Sequence, residues 1–213
     1  MGIGRLAQAA PARAVFVDRD GVINRNVFNP ATGAYESPHR PGDFHLAEGA
    51  VPALARLQAA GFRLFLVSNQ PSYAKGKTTL AMLEAVHARL VEALNAAGVT
   101  FSAFYYCFHH PESKVPDYGG PCACRKPSPF FLLKAADEFG LDLARSWMVG
   151  DRVTDVECGR AAGVHTIRVK EDHPAMRRAD EMLAEFDAQN LAHAADIIIA
   201  QAAACMAEVG GGN

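Results

Sequence analysis

The sequence predicts an α/β fold, a parallel sheet with helices on both faces. Three observations predict it. Short apolar runs alternate along the 213 residues with segments of helical period, the pattern of βαβ units. Several of those runs end abruptly in acidic or polar residues, and strand ends are where such sheets bind ligands. Half the chain is hydrophobic and a fifth charged, ordinary globular material of ample length for a core.

The opening strand starts the run Ala14-Val15-Phe16-Val17-Asp18-Arg19-Asp20-Gly21-Val22. Its apolar half, rich in β-branched residues, reads as buried. Alternation along extended chain puts Asp18 and Asp20 on one side with Arg19 turned away. Two acids together past a strand end are costly unless a cation holds them, and Mg²⁺ prefers such oxygen ligands. One carboxylate could attack an electrophile while its neighbour handles the proton, and Gly21 lets the backbone turn beside a ligand.

Asn24 to Phe44 is polar and turn-rich, and is expected to form a small hairpin or flap over Asp18. A helix is predicted over Gly49 to Ala60, and a strand over Phe62 to Ser68, which runs into Asn69-Gln70. A longer helix follows over Thr78 to Ala97, then a strand over Phe101 to Cys107. Phe108 to Lys126 is irregular. Ser128 and Pro129 open a helix running to Gly140, and Ser146 to Gly150 is a strand ending at Asp151. Thr154 and Glu157 suggest a capping box for a helix that stops at Gly163. A strand over Val164 to Val169, a helix over Pro174 to Asp187 and a last strand over Asp196 to Ala200 with a short helical tail complete the chain. Met1 to Arg13 is read as a leader, 14–209 as one domain and 210–213 as a disordered tail.

Composition excludes several functions. The net charge is −2 with no long basic run, which argues against nucleic acid or an anionic membrane as partner. No apolar stretch approaches the ~20 residues that span a bilayer. Five cysteines, three of them crowded at Cys107, Cys122 and Cys124, suggest a reducing compartment, by default the cytoplasm, and a metal in place of a disulfide framework.

Asp151 is placed to supply a further oxygen to a metal held by Asp18 and the Asp20 carbonyl. Asp155 could orient a lysine or a metal-bound water, although acids are favoured at helix starts anyway. Ser68 and Asn69 could donate to a phosphoryl oxygen, but both are ordinary turn residues. Arg125 and Lys126 precede a helix N-terminus, where an anion is favoured. Cys107, His109, Cys122 and Cys124 form two close pairs that suit a closed, structural zinc site, the alternatives being unrelated residues or a strained Cys122–Cys124 disulfide. His110 is the weaker ligand candidate.

Taken in order, Asp18-Arg19-Asp20-Gly21, Ser68-Asn69, Lys126 and Gly150-Asp151-Arg152-Val153-Thr154-Asp155 resemble the four motifs of the haloacid dehalogenase (HAD) superfamily of phosphatases. The zinc loop running into Cys124-Arg125-Lys126-Pro127 is similar to the branch that holds heptose-bisphosphate and histidinol-phosphate phosphatases. The resemblance implies a Rossmann-like HAD fold without a large cap, and a monomeric, Mg²⁺-dependent phosphomonoester hydrolase acting on a small phosphorylated sugar. It implies Asp18 as nucleophile, Asp20 as acid and base, Ser68 and Lys126 as phosphoryl stabilisers, and Mg²⁺ on Asp18, the Asp20 carbonyl and Asp151. Arg125, with Arg152 as helper, would hold the uncleaved part of the substrate. A heptose bisphosphate is the expected substrate, because the loop between His109 and Cys122 is long. Histidinol phosphate is the alternative, and a non-catalytic sugar-phosphate or protein binder the alternative of another class. The chain departs from the heptose branch at Pro71-Ser72-Tyr73, at an inserted turn over Asn29 to Gly33, and between Lys170 and His193.

Overall fold

The computed structural model describes residues 11–170 and 184–210. Strands β1 (Ala14–Val17), β4 (Arg63–Asn69), β5 (Phe101–Cys107), β6 (Trp147–Gly150), β7 (His165–Val169) and β8 (Phe186–Ala188) form one six-stranded sheet in the order β5-β4-β1-β6-β7-β8. Every neighbouring pair in it is parallel. A separate antiparallel hairpin, β2 (Val27–Asn29) with β3 (Ala34–Glu36), is the flap expected within Asn24 to Phe44.

Both faces of the sheet are covered, so the central strands are buried on alternate sides at every position. Val15 and Val17 face a core shared with Leu54 and Leu57 of α1 (Ala50–Ala59), Leu90 of α2 (Leu80–Ala96) and Ile198 of α5 (Leu191–Gly210). Ala14 and Phe16 face the opposite core, with Leu132 of α3 (Phe130–Phe139) and Cys158 of α4 (Val153–Ala162). This two-sided burial is what makes β1 read as continuous apolar sequence. The strand must then end where the helices stop covering it, and there the chain switches to Asp18. Because β4, β1 and β6 are neighbours, the residues that follow them meet at one edge.

Three expectations are corrected. Asp196 to Ala200 is helical, inside α5. Its Ile-Ile-Ile run suggests a strand, but Leu191, Ala194, Ala195 and Ile198 are the buried positions, the spacing of one helical face. The sixth strand is instead β8, where Phe186 pairs with Ile167. The helix expected over Pro174 to Asp187 lies outside the described residues as far as 183, and its end is strand. Finally, the box at the start of α4 is formed by Arg152 and Asp155, not Thr154 and Glu157: the Arg152 backbone N–H donates to Asp155 Oδ2 at 3.0 Å. Helix α4 starts earlier than its Thr and Glu suggest, which makes Asp155 its third residue.

The α5 correction can be tested in solution. Ile198→Ala is expected to cost roughly 2–5 kcal/mol in urea unfolding, as for a buried aliphatic residue, and Ile197→Ala distinctly less. A strand in this sheet, covered on both faces, would make the two costs similar.

Candidate active site

At the carboxyl edge of the sheet, Asp18 follows β1 and its N–H donates to Val149 O of β6 at 2.9 Å. Gly21 has φ +86°, and a Cβ there would stand 2.5 Å from Asp151 Oδ2, so the turn after the acid pair requires glycine. The edge opens into a cleft of about 420 Å³ lined by Asp18, Asp20, Asn69, Arg125, Lys126, Arg152 and Asp155, with the hairpin along one side. Ser68, Gly21 and Asp151 are not among its lining residues, and Ser68 and Asp151 are buried.

Lys126 is 3% exposed, yet its ammonium is ionised. Its Nζ lies 2.6 Å from Asp155 Oδ1 and 2.9 Å from Asp18 Oδ1, and donates also to Val67 O. Burial works against the charge, but Asp155 and Asp18 outweigh it and hold the lysine above its ordinary range. The two acids are driven apart. Burial pushes Asp18 upward, but Lys126, helped by Arg152 and the Arg19 backbone, brings it below the ordinary carboxylate range. Burial pushes Asp155 above that range, with Asp18 adding to the effect against Lys126. Of the two, Asp18 is thus the more readily ionised.

Asp20 is fixed differently. Arg19 Nε and Nη2 donate to its two oxygens at 3.0 and 3.2 Å, Asn24 Nδ2 to Oδ1 at 3.0 Å, and Gln70 Nε2 to Oδ2. The expectation that Arg19 turns away is therefore corrected. The strand ends at Val17, alternation lapses, and the buried guanidinium folds back onto the adjacent carboxylate. Gln70 Nε2 also donates to Ser68 Oγ at 3.0 Å, which ties Asp20 to the end of β4. Arg19, Asn24 and Gln70 are the residues that sequence reasoning missed. Gln70 could have been found, since it stands two residues beyond Ser68 on extended chain.

Asn69 clamps the lysine's backbone: its Nδ2 donates to Lys126 O and its Oδ1 accepts from Lys126 N–H, both at 3.1 Å. The side chain of Arg125 donates to His109 O at 3.2 Å. Lys75 and Lys77 add to Arg125, Lys126 and Arg152 along the cleft, which suits an anion.

Two clusters have the donors of metal sites. Ligand atoms of Asp18, Asp151 and Asp155, all buried, lie within 4.8 Å of one another, a hard-oxygen set. Those of Cys107, His109, Cys122 and Cys124 are equally close. Tetrahedral donors about a common zinc would stand about 3.8 Å apart for S···S and about 3.5 Å for S···N. The observed separations are 3.8 Å for Cys107–Cys122, 3.9 Å for Cys122–Cys124, and 3.8 and 3.6 Å from His109 Nδ1 to Cys107 and Cys124. No disulfide joins the three thiols. Burial pushes the Cys107 thiol up, so a cation is needed to hold it as thiolate. His110 turns its Nδ1 to the Glu112 N–H, away from the cluster.

A parallel sheet with helices on both faces, an acid pair after β1, a hydroxyl at the end of β4, a buried lysine and an acid after β6 define a HAD-like hydrolase. A family model described as HAD-hydrolase-like matches residues 123–203. The chain is 36% identical over 161 residues to D-glycero-beta-D-manno-heptose-1,7-bisphosphate 7-phosphatase of Escherichia coli K12, covering 76% of this chain and 79% of that one. It is 37% identical over 170 residues to the enzyme of the same name from Vibrio cholerae, covering 79% and 87%. The crystal structure of D,D-heptose 1,7-bisphosphate phosphatase from B. bronchiseptica, complexed with magnesium and phosphate, aligns with a TM-score of 0.73 at 27% identity, covering 89% and 99%. The chain belongs to the heptose-bisphosphate 7-phosphatase family of HAD-like hydrolases, and is a phosphatase.

The lysine gives a pH-dependent prediction. Lys126→Met leaves two buried carboxylates uncompensated and is expected to cost roughly 3–5 kcal/mol at pH 7. Asp18, depressed in the fold, contributes stability that is full above its unfolded value of 3.8 and lost as pH falls through its lower folded value. Lys126, raised in the fold, contributes below 10.5 and loses that only above its higher folded value. Urea unfolding of both proteins should therefore show the difference through the neutral range and a smaller one near pH 3.

Proposed function

We propose that this phosphatase hydrolyses the 7-phosphate of D-glycero-D-manno-heptose 1,7-bisphosphate in the cytoplasm, through an aspartyl-phosphate and with Mg²⁺. The observation that carries the chemistry is the pairing of a depressed, cleft-facing Asp18 with a buried Lys126 ammonium at 2.9 Å. Asp18 attacks phosphorus, and Asp20 gives a proton to the leaving alkoxide, then takes one from the attacking water. Ser68 Oγ–H and Lys126 Nζ balance charge spread over the equatorial oxygens. Asn69 acts through the Lys126 backbone, and Asp155 keeps the ammonium aimed at the transferring group. Asp18, the Asp20 carbonyl and Asp151 would hold Mg²⁺, which supplies further positive charge to the phosphoryl oxygens.

Specificity for the remaining half of the substrate falls to Arg125 and Arg152, whose forked guanidiniums suit a second phosphate. The names of the E. coli and Vibrio relatives support the substrate, and so does a cleft sized for a sugar phosphate. Zinc on Cys107, His109, Cys122 and Cys124 would be structural, since four protein ligands leave no open position. It would pin the loop that delivers Arg125 and Lys126.

Phosphate release from a panel of sugar phosphates and histidinol phosphate, ranked by kcat/KM with Mg²⁺ present, tests the reading. The heptose bisphosphate is expected to lead; histidinol phosphate in first place refutes the substrate. Asp18→Asn should abolish turnover while the fold survives. Protein purified without chelator should carry about one zinc per chain, and Cys107→Ser should lose it and raise KM.

A further inference from the structure

We infer that Asn26, which has no assigned role, is a positioning residue for the divalent cation, acting on that cation's hydration shell from beside Asp151. The inference rests on reading the Asp18–Asp151 cluster as the Mg²⁺ site.

Asn26 lies between the turn at Gly21 and strand β2. Its Nδ2 and Oδ1 are both shielded from solvent, and among the described residues neither has a hydrogen-bond partner. Such a carboxamide is rare, because an unmet donor and an unmet acceptor each forfeit the bonds they had in water. A water or an ion's hydration shell is the usual resolution.

The surroundings of Gly21 show which group stands nearest to that carboxamide. A Cβ built on Gly21 would come to 2.5 Å from Asp151 Oδ2 and 3.2 Å from Asn26 Nδ2. The carboxylate and the carboxamide therefore both stand against the backbone of Gly21, the residue that follows Asp20. Mg²⁺ sheds its waters reluctantly and is bound through few protein oxygens, so its retained waters need acceptors and its carboxylates need orienting donors. A carboxamide offers both: Oδ1 accepts from a bound water while Nδ2 donates to a carboxylate or a second water. The sequence gives little sign of this role, since Asn26 reads as one polar residue in a turn-rich stretch.

The test compares wild type with Asn26→Leu and Asn26→Ala, using Mg²⁺ alone as the probe in calorimetric titration. Melting temperature is measured in metal-free buffer that leaves the Cys/His cluster untreated. Both variants are expected to bind Mg²⁺ at least about tenfold more weakly, with a metal-free melting temperature equal to or above wild type. Binding within twofold of wild type overturns the inference. So does weaker binding accompanied by a lower metal-free melting temperature in both variants, which would make Asn26 a fold residue. If wild type itself shows no Mg²⁺ binding, the metal reading of the cluster fails first, and the two failures are told apart.

Discussion

The constraint behind the rest is the buried ammonium of Lys126 shared between Asp18 and Asp155. Three charges removed from water are tolerable only if each keeps its partner at hydrogen-bonding distance. This fixes three distant pieces of chain relative to one another. Asp18 must follow β1 directly, Asp155 must sit in the first turn of α4, and the loop after β5 must end with a lysine pointing inward. Gly150 belongs to the same constraint: a Cβ there would stand 2.2 Å from the Asp155 Cβ, so only glycine lets that acid close over the strand end.

The cysteine and histidine cluster solves a different problem, that of holding an irregular loop without a core of its own. Between Cys107 and Lys126 the chain has only a short 3₁₀ turn at Pro116–Tyr118. Cys107 belongs to the rigid end of β5, Cys122 meets its thiol at 3.8 Å, and Cys124 meets Cys122 at 3.9 Å. Arg125 then reaches back to His109 O, and Asn69 of β4 grips the Lys126 backbone. Two anchors, one at the cluster and one at Asn69, bracket the residues that face the cleft. A lysine carried on such a loop gains the positional accuracy of one carried on a strand.

Much of this was legible because strand ends announce themselves. An apolar run with both faces buried cannot continue into Asp18 or Asp151, so the break in hydrophobicity marks both the sheet edge and the chemistry. The order of the motifs alone links Asp18, Ser68, Lys126 and Asp151. What stayed hidden depends on side-chain direction past the point where secondary structure sets it. Arg19 was assigned by alternation to the wrong surroundings because alternation stops at Val17. Asp196 to Ala200 within α5 reads as strand because three adjacent isoleucines outweigh a helical stripe over a short window. Gln70 can be placed beside Ser68 from sequence, but its pairing with Asp20, 50 residues away, is encoded by no local pattern.

The hairpin shows where chemistry and selectivity separate. Glu36 at its base accepts from Lys77 Nζ and, at 3.3 and 3.0 Å, from Asn29 Nδ2 and Thr32 Oγ1. Thr78 Oγ1 donates to His39 O at 2.7 Å, and Ser37 lies against Ser72. The flap is thus tied both to its own turn and to the segment after β4. None of these bonds touches Asp18, Lys126 or Asp155, which are anchored in the sheet and α4. Loops positioned by a rigid scaffold can therefore change what the cleft admits while the acid–lysine core stays in place. Since Glu36, Ser37, His39 and Lys77 border both the Asp18–Lys126 cleft and a second cavity of about 490 Å³, a change at this seam alters the space in the cleft before it alters Asp18, Lys126 or Asp155.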